Sequence, residues 1–240
     1  MQITFGNKSA VRQMWKTCFD DSEAFLDLYF GEKYEDKNTL IGYENDRAVA
    51  SLQMLPYRFR FCGVDIPIAY ISGACTLPEF RNRGYMGELL AASFEVMAQR
   101  NIPLSILVPA ETWLFDYYAR FGYEQVFFAD NAEIPLRKII DKANGDVDTA
   151  YQEFNRLFNG KDFSIQKSKA DFRTIIKDAE LDDFSPRNNL SGMVRVIDGD
   201  YLKSLYKNKY PEKSFDFQDI RLLCRSFFEG QKAVLNLMLE

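Results

Sequence analysis

The chain has 240 residues, of which 47% are hydrophobic and 27% charged, with a formal net charge of −5 and no histidine. These proportions suit one or two globular domains that bury a core without staples. The acidic balance argues against a nucleic-acid partner, and the missing histidine removes His triads, His metal ligands and a His general base.

Residues 2–5 read as a short strand. Asn7-Lys-Ser then opens a helix carrying Val11, Met14, Trp15 and Phe19, and Asp20-Asp21-Ser22 caps a second helix. Residues 38–43 and 47–55 read as two strands around a turn at 44–46, and residues 57–62 and 64–67 as a further tight hairpin about Gly63. Ala69 to Leu77 is another strand, ended by Pro78. Residues 85–100 form a strong amphipathic helix, with Met86, Leu89, Leu90, Phe94 and Met97 on one face. Leu104 to Val108 is a short apolar strand, residues 111–121 a helix stopped by Gly122, and residues 123–135 a last strand.

Residues 138–148 are polar and read as a break. Helices follow at 147–158 and 169–180, a loop at 182–192, a strand at 193–197, helices at 201–207 and 216–228, and an apolar end. The pattern predicts a mixed α/β (α+β) fold, with a mostly antiparallel sheet flanked by helices and a small α/β C-terminal domain. The expected divisions are residues 1–137, a helical linker region at 138–192 and a C-terminal part at 193–240.

Cys18, Cys62, Cys75 and Cys224 lie far apart in sequence and lack C-x-x-C spacing, so neither zinc nor a disulfide framework is expected. The N-terminus shows no basic-then-apolar leader, and no apolar run approaches the roughly 20 residues of a membrane span. The expectation is a cytoplasmic protein with no membrane partner and no metal.

The joint from Cys75 to Gly87 carries Arg81, Arg83, Gly84 and Gly87 between a strand and a helix. A helix N-terminus has unpaired N–H groups and a partial positive charge. Glycines open the backbone, and arginines add fixed charge, so the joint reads as a pyrophosphate site. The same residues also suit a plain connection between elements.

From Ile66 to Tyr123 the chain resembles the GNAT acyl-CoA N-acyltransferase family. The resemblance is carried by Arg81-Asn-Arg-Gly84-Tyr-Met86, against the family's Arg/Gln-x-x-Gly-x-Gly/Ala, and by Tyr118-Ala-Arg-Phe-Gly122-Tyr123. Met86 stands where Gly or Ala is usual, and Gly87 comes one place late. More narrowly, Thr76 to Gly84 and Tyr118 to Tyr123 are similar to the N-terminal domain of the enhanced-intracellular-survival (Eis) acetyltransferases. Met193-Val-Arg-Val-Ile-Asp198 resembles the first strand of the sterol-carrier-like domain of those proteins. The chain is too short for their full set, so the resemblance implies a missing middle domain and a reduced C-terminal remnant.

The resemblance implies an N-acetyltransferase that uses acetyl-CoA as cosubstrate and acetylates a primary amine of a small molecule or peptide. Ala74, Cys75 and Thr76 would pair with the pantetheine arm. Arg81, Asn82, Arg83, Gly84, Tyr85, Met86 and Gly87 would hold the pyrophosphate. Tyr118 would protonate the departing thiolate, as a phenol with an ordinary pKa near 10 can.

The base stays open. The strand at 69–77 has no carboxylate, which leaves Glu111, Asp116, the carboxylate of Glu240 (used by Eis-type proteins) or a water. Cys75 lacks a histidine to activate it and reads as a buried thiol. The alternative is a non-catalytic acyl-CoA-binding regulator. A tRNA-dependent aminoacyl transferase is a weaker reading in an acidic chain. The acceptor and a homo-oligomeric state are left open.

Overall fold

In the computed structural model, residues 1–130, 133–213 and 218–239 are described. Strand β1 (Gln2–Phe5) pairs antiparallel with β2 (Thr39–Glu44), and helices α1 (Lys8–Cys18) and α2 (Glu23–Glu32) lie between them in sequence. Both expected caps form: Asn7 Oδ1 accepts from the Ala10 N–H at 3.2 Å, and Ser22 Oγ from the Phe25 N–H at 3.1 Å. Next come β3 (Arg47–Phe61) and β4 (Val64–Thr76), α3 (Tyr85–Gln99), β5 (Leu104–Leu107), α4 (Thr112–Ala119) and β6 (Glu124–Phe127). The remaining elements are α5 (Leu136–Lys142), α6 (Val147–Phe158), β7 (Ser164–Gln166), α7 (Lys169–Leu181), β8 (Gly192–Val196), α8 (Gly199–Lys209) and α9 (Ile220–Phe228).

One eight-stranded sheet runs in the order β1-β2-β3-β4-β5-β8-β6, with β7 added to β3. Among the described strands only β4 and β5 pair in parallel, joined across α3. One face packs α1, α2, α8 and α9 around Trp15, Tyr29, Phe59, Phe61 and Phe227. The other packs α3 and α4 around Leu89, Leu90, Met97 and Tyr118. A third cluster joins α5, α6 and α7 around Phe154 and Phe172. No described helix is long and apolar enough to cross a membrane.

Four expectations differ. The hairpins expected at 38–55 and about Gly63 both form, but the strands expected at 47–55 and 57–62 are one strand, because β3 runs through Pro56, and those at 64–67 and 69–77 are likewise one, β4. Residues 54–57 lie between the segment of β3 paired with β2 and that paired with β7, so on the edge away from β4 a missing donor breaks no ladder. The strand expected at 123–135 is regular only over β6, with a single antiparallel bridge from Ile134 to Arg187 further on, and residues 131–132 fall outside the described residues. Helix α5 starts at Leu136 and runs into the region 138–148 read as a polar break, burying Leu136 and Ile139, and β7 forms further on.

The fourth difference concerns the expected C-terminal part. Residues 193–196 do not start a separate sheet. They pair antiparallel with β5 on one side (Ile106↔Val194) and with β6 on the other (Glu124↔Val194). Met193, Val194 and Val196 are buried there, and β5 would otherwise present an open edge. Helix α9 then clamps this end: Arg221 and Arg225 donate to the Glu124 carboxylate at 2.8 and 2.7 Å. The sheet therefore crosses the boundaries expected at residues 137 and 192.

Candidate functional site

Strands β4 and β5 pair only from Ile68↔Leu104 to Ile71↔Leu107. Beyond that point β5 ends and its chain leads to α4, while β4 continues to Thr76. Residues Ser72–Thr76 thus keep β3 on one side and no strand on the other. Gly73 sits at φ +56° opposite the register shift between Ser51 and Gln53, and a Cβ there would run into the Trp15 ring. Ala74, Cys75 and Thr76, the residues predicted to meet a pantetheine arm, all lie in this half-open stretch. The Cys75 side chain is buried and its thiol lies 3.4 Å from Ser51 Oγ.

After a single 3-10 turn at Pro78–Phe80, the chain passes through Asn82 (φ +62°) and Gly84 (φ +85°) into α3. Gly84 is the N-cap and supplies no side-chain acceptor. The backbone N–H groups of Asn82, Arg83, Gly84, Tyr85, Met86 and Gly87 find no acceptor among the described residues. Six such donors at a helix N-terminus form a positively polarised cradle.

Side chains brace this loop. Arg81 Nε donates to Thr76 O at 3.2 Å. Arg83 donates to Glu79 O at 3.2 Å and to Glu44 at 3.4 Å, and its guanidinium lies over Phe80. The Tyr85 hydroxyl donates to the other oxygen of Glu44. Glu44 escaped the sequence reading because it stands in a hairpin turn 37 positions before Arg81. Its only sequence signal is its charge.

The two glycines do different things. A Cβ on Gly84 would meet nothing, so its glycine answers to the positive φ alone. A Cβ on Gly87 would come 3.1 Å from the Phe121 ring. Gly87 therefore admits α4's C-terminal end against α3, and the expectation that it clears space for a phosphate is not what its packing shows. Met86 is half-buried against the same cluster.

Tyr118 is 7% exposed, with its ring between Tyr117 (5.4 Å) and Tyr123 (5.8 Å). Its hydroxyl has no hydrogen-bond partner among the described residues, yet is not one of the fully enclosed unpaired atoms. The ring is thus packed while the tip keeps contact with accessible space. Burial, with a smaller contribution from Tyr117, pushes the phenol well above its ordinary value, so it holds its proton throughout the neutral range. Gly122 ends the motif at φ +82° because Arg195 of β8 reaches the Phe121 carbonyl through the space a Cβ would fill.

The base candidates are less well placed. Glu111 accepts from the Trp113 indole N–H at 2.7 Å and is exposed, as is Asp116. Glu240 lies outside the described residues. No cluster of three or more metal-ligating side chains occurs among the described residues. Two cavities of about 480 and 680 Å³ lie elsewhere, on the β3 edge beside Tyr57 and Asp171.

Residues 2–126 match the family model described as acetyltransferase (GNAT) domain. No curated protein matches the sequence. Among solved structures, Eis1 from Mycobacterium abscessus superposes with a TM-score of 0.58 at 15% identity, covering 80% of this chain and 51% of that one. GCN5-related N-acetyltransferases from Anabaena variabilis (TM-score 0.53, 15% identity, 87% and 63% coverage) and Kribbella flavida (0.53, 16%, 81% and 53%) show the same fold. The chain thus spans between half and two-thirds of the length of these structures.

Proposed function

As a member of the GNAT acetyltransferase family, the chain, we propose, moves an acetyl group from acetyl-CoA to a primary amine of a small molecule or peptide. The observation that carries this reading is the run of six unaccepted N–H groups, Asn82 to Gly87, at the end of the half-open stretch of β4. A pyrophosphate fits such a cradle, with Arg81 and Arg83 supplying charge. Away from β3, the edge of Ala74, Cys75 and Thr76 offers backbone groups to the amides of the pantetheine arm, as an added strand would, with Thr76 O already held by Arg81 and Cys18.

The amine attacks the thioester carbon, the C–S bond breaks, and Tyr118 gives its proton to the departing sulfur. The neutral phenol and its accessible tip suit this role. The proton lost by the amine goes to water or to one of the carboxylates named above. Free amines reach the site as ammonium ions, so their deprotonation is part of the measured rate.

Acetyl-CoA at a hundred times its Kd should stabilise the fold by about 2.7 kcal/mol, read as a rise in melting temperature. No shift would remove the donor reading. Tyr118→Phe should leave acetyl-CoA affinity unchanged while kcat falls on the order of 10²-fold, the scale of lost general-acid catalysis. Equal kcat in the variant would remove Tyr118 from the mechanism.

A further inference from the structure

Cys18 and Cys75 are 57 positions apart in sequence but meet in space. Cys18 closes α1, and its thiol donates to the carbonyl of Thr76, the residue after Cys75, at 3.6 Å. Arg81 Nε donates to that same oxygen at 3.2 Å, so the thiol and the guanidinium share one acceptor. Cys75 points from β4 into the cluster against which Cys18 packs.

The four cysteines divide by environment. Burial pushes Cys62 and Cys224 up to about 12, where a thiol is inert. Cys18 is half-buried and alone is lowered. The neighbouring Cys75 thiol is the main cause, and Arg81 adds to it against the cost of partial burial. Cys75 moves the opposite way, raised by Cys18 and by full burial. One accessible nucleophilic sulfur thus stands beside a protected one.

We propose that Cys18 and Cys75 are an oxidisable pair, in which hydrogen peroxide converts Cys18 to a sulfenic acid and Cys75 closes it to a disulfide beside the donor groove. The Cys18 sulfur attacks one peroxide oxygen and the O–O bond breaks, giving Cys18–SOH and water. The Cys75 sulfur then attacks the Cys18 sulfur. The S–S bond forms, the S–O bond breaks, and a second water leaves with the Cys75 proton. Two thiols are oxidised and one peroxide is reduced.

The bond ties the last turn of α1 to β4 within Ser72–Thr76, and it removes the thiol that shares Thr76 O with Arg81. Both changes fall on groups assigned above to the donor, so this effect rests on that reading. Oxidation should therefore weaken acetyl-CoA binding.

The test treats the whole protein with hydrogen peroxide, blocks free thiols, and compares intact masses and non-reduced peptides. The expected result is a loss of two hydrogens, a Cys18–Cys75 linked peptide localised by fragmentation, and reversal by dithiothreitol. Cys18→Ser should abolish the link and Cys224→Ser should keep it. Acetyl-CoA affinity of the oxidised protein should fall about five-fold or more, and Cys18→Ser should be insensitive to peroxide.

Sulfinic acid at Cys18 without a link, or a link through Cys62, would overturn the pairing. A formed link with unchanged acetyl-CoA affinity would overturn the coupling. If the reduced protein binds no acetyl-CoA, the donor reading falls and the coupling with it, while the mass measurement still decides the pair.

Discussion

Gln53 lies in the middle of β3, fully buried, and neither its amide nitrogen nor its amide oxygen has a partner among the described residues. Its neighbours are Trp15 and the bulge at Gly73. A buried amide with both ends unmet costs stability, because the groups have given up water and gained nothing. Gln53→Met keeps the length and removes the polar atoms. It should raise the unfolding free energy by about 1–2 kcal/mol, measured as a shift of the urea midpoint at unchanged slope. A less stable variant would show that the amide is satisfied in solution. The same scale shows what residue types can announce by themselves. Arg81, Gly84 and Tyr118 stand out as candidates in the sequence because residue type and spacing together single them out. The brace from Glu44, the approach of Phe121 to Gly87 and the meeting of Cys18 with Cys75 do not, since each joins residues more than 30 positions apart and no local pattern encodes such a pairing.

Between elements, α7 is held to α2 by the ion pair of Lys33 and Asp171, both largely shielded, and by Lys177 with Glu32 at 2.5 Å. Asp171 also closes the capping box of α7 with Ser168. Burial alone would raise its carboxyl. The charge and hydrogen bond of Lys33, with the bonds from Ser168, outweigh it and hold the pKa below its usual value. A carboxyl depressed in the folded state stabilises above the unfolded value of about 3.9, and that contribution is lost as pH falls through the folded value. Asp171→Asn should therefore cost about 3 kcal/mol at pH 7, by leaving Lys33 and the cap unpaired, and the gap from the parent should narrow below about pH 4. Urea titrations at pH 7 and pH 3 check this, and a gap independent of pH would sink it. Elements with a strong apolar face, such as α3, were readable from periodicity. Helix α5, Leu-Arg-Lys-Ile-Ile-Asp-Lys, was not, because four of its seven residues are charged and its two buried anchors make no repeat. Strand β7, three residues long, is too short to show alternation.

At the scale of the whole molecule, the family match ends at residue 126, whereas the sheet it belongs to is finished only by Gly192–Val196. A short apolar strand reads the same whichever sheet it joins, so residues 193–197 were recognisable as a strand but not as the neighbour of β5. The consequence is a strong dependence of the first half on the second. Without β8, strand β5 loses its antiparallel partner from Leu104 to Leu107, and β6 loses the one strand it pairs with among the described residues, because β8 lies between β5 and β6. The α9 residues Leu223, Cys224, Phe227 and Phe228, all buried on that face, would go too, exposing Phe59, Phe61 and Phe127. Each large side chain so uncovered forfeits about 1.5–3 kcal/mol, and a domain's whole stability is about 5–15 kcal/mol. A fragment of residues 1–137 should therefore show no cooperative urea transition and poorly dispersed amide resonances, although it contains the whole family match. Adding residues 192–239 in trans as a separate chain should restore part of the transition if docking of β8 and α9 is what the fragment lacks. A fragment that unfolds cooperatively on its own would mean that the sheet closes without β8, and that Arg195 and Glu124 are ornaments of a fold already complete.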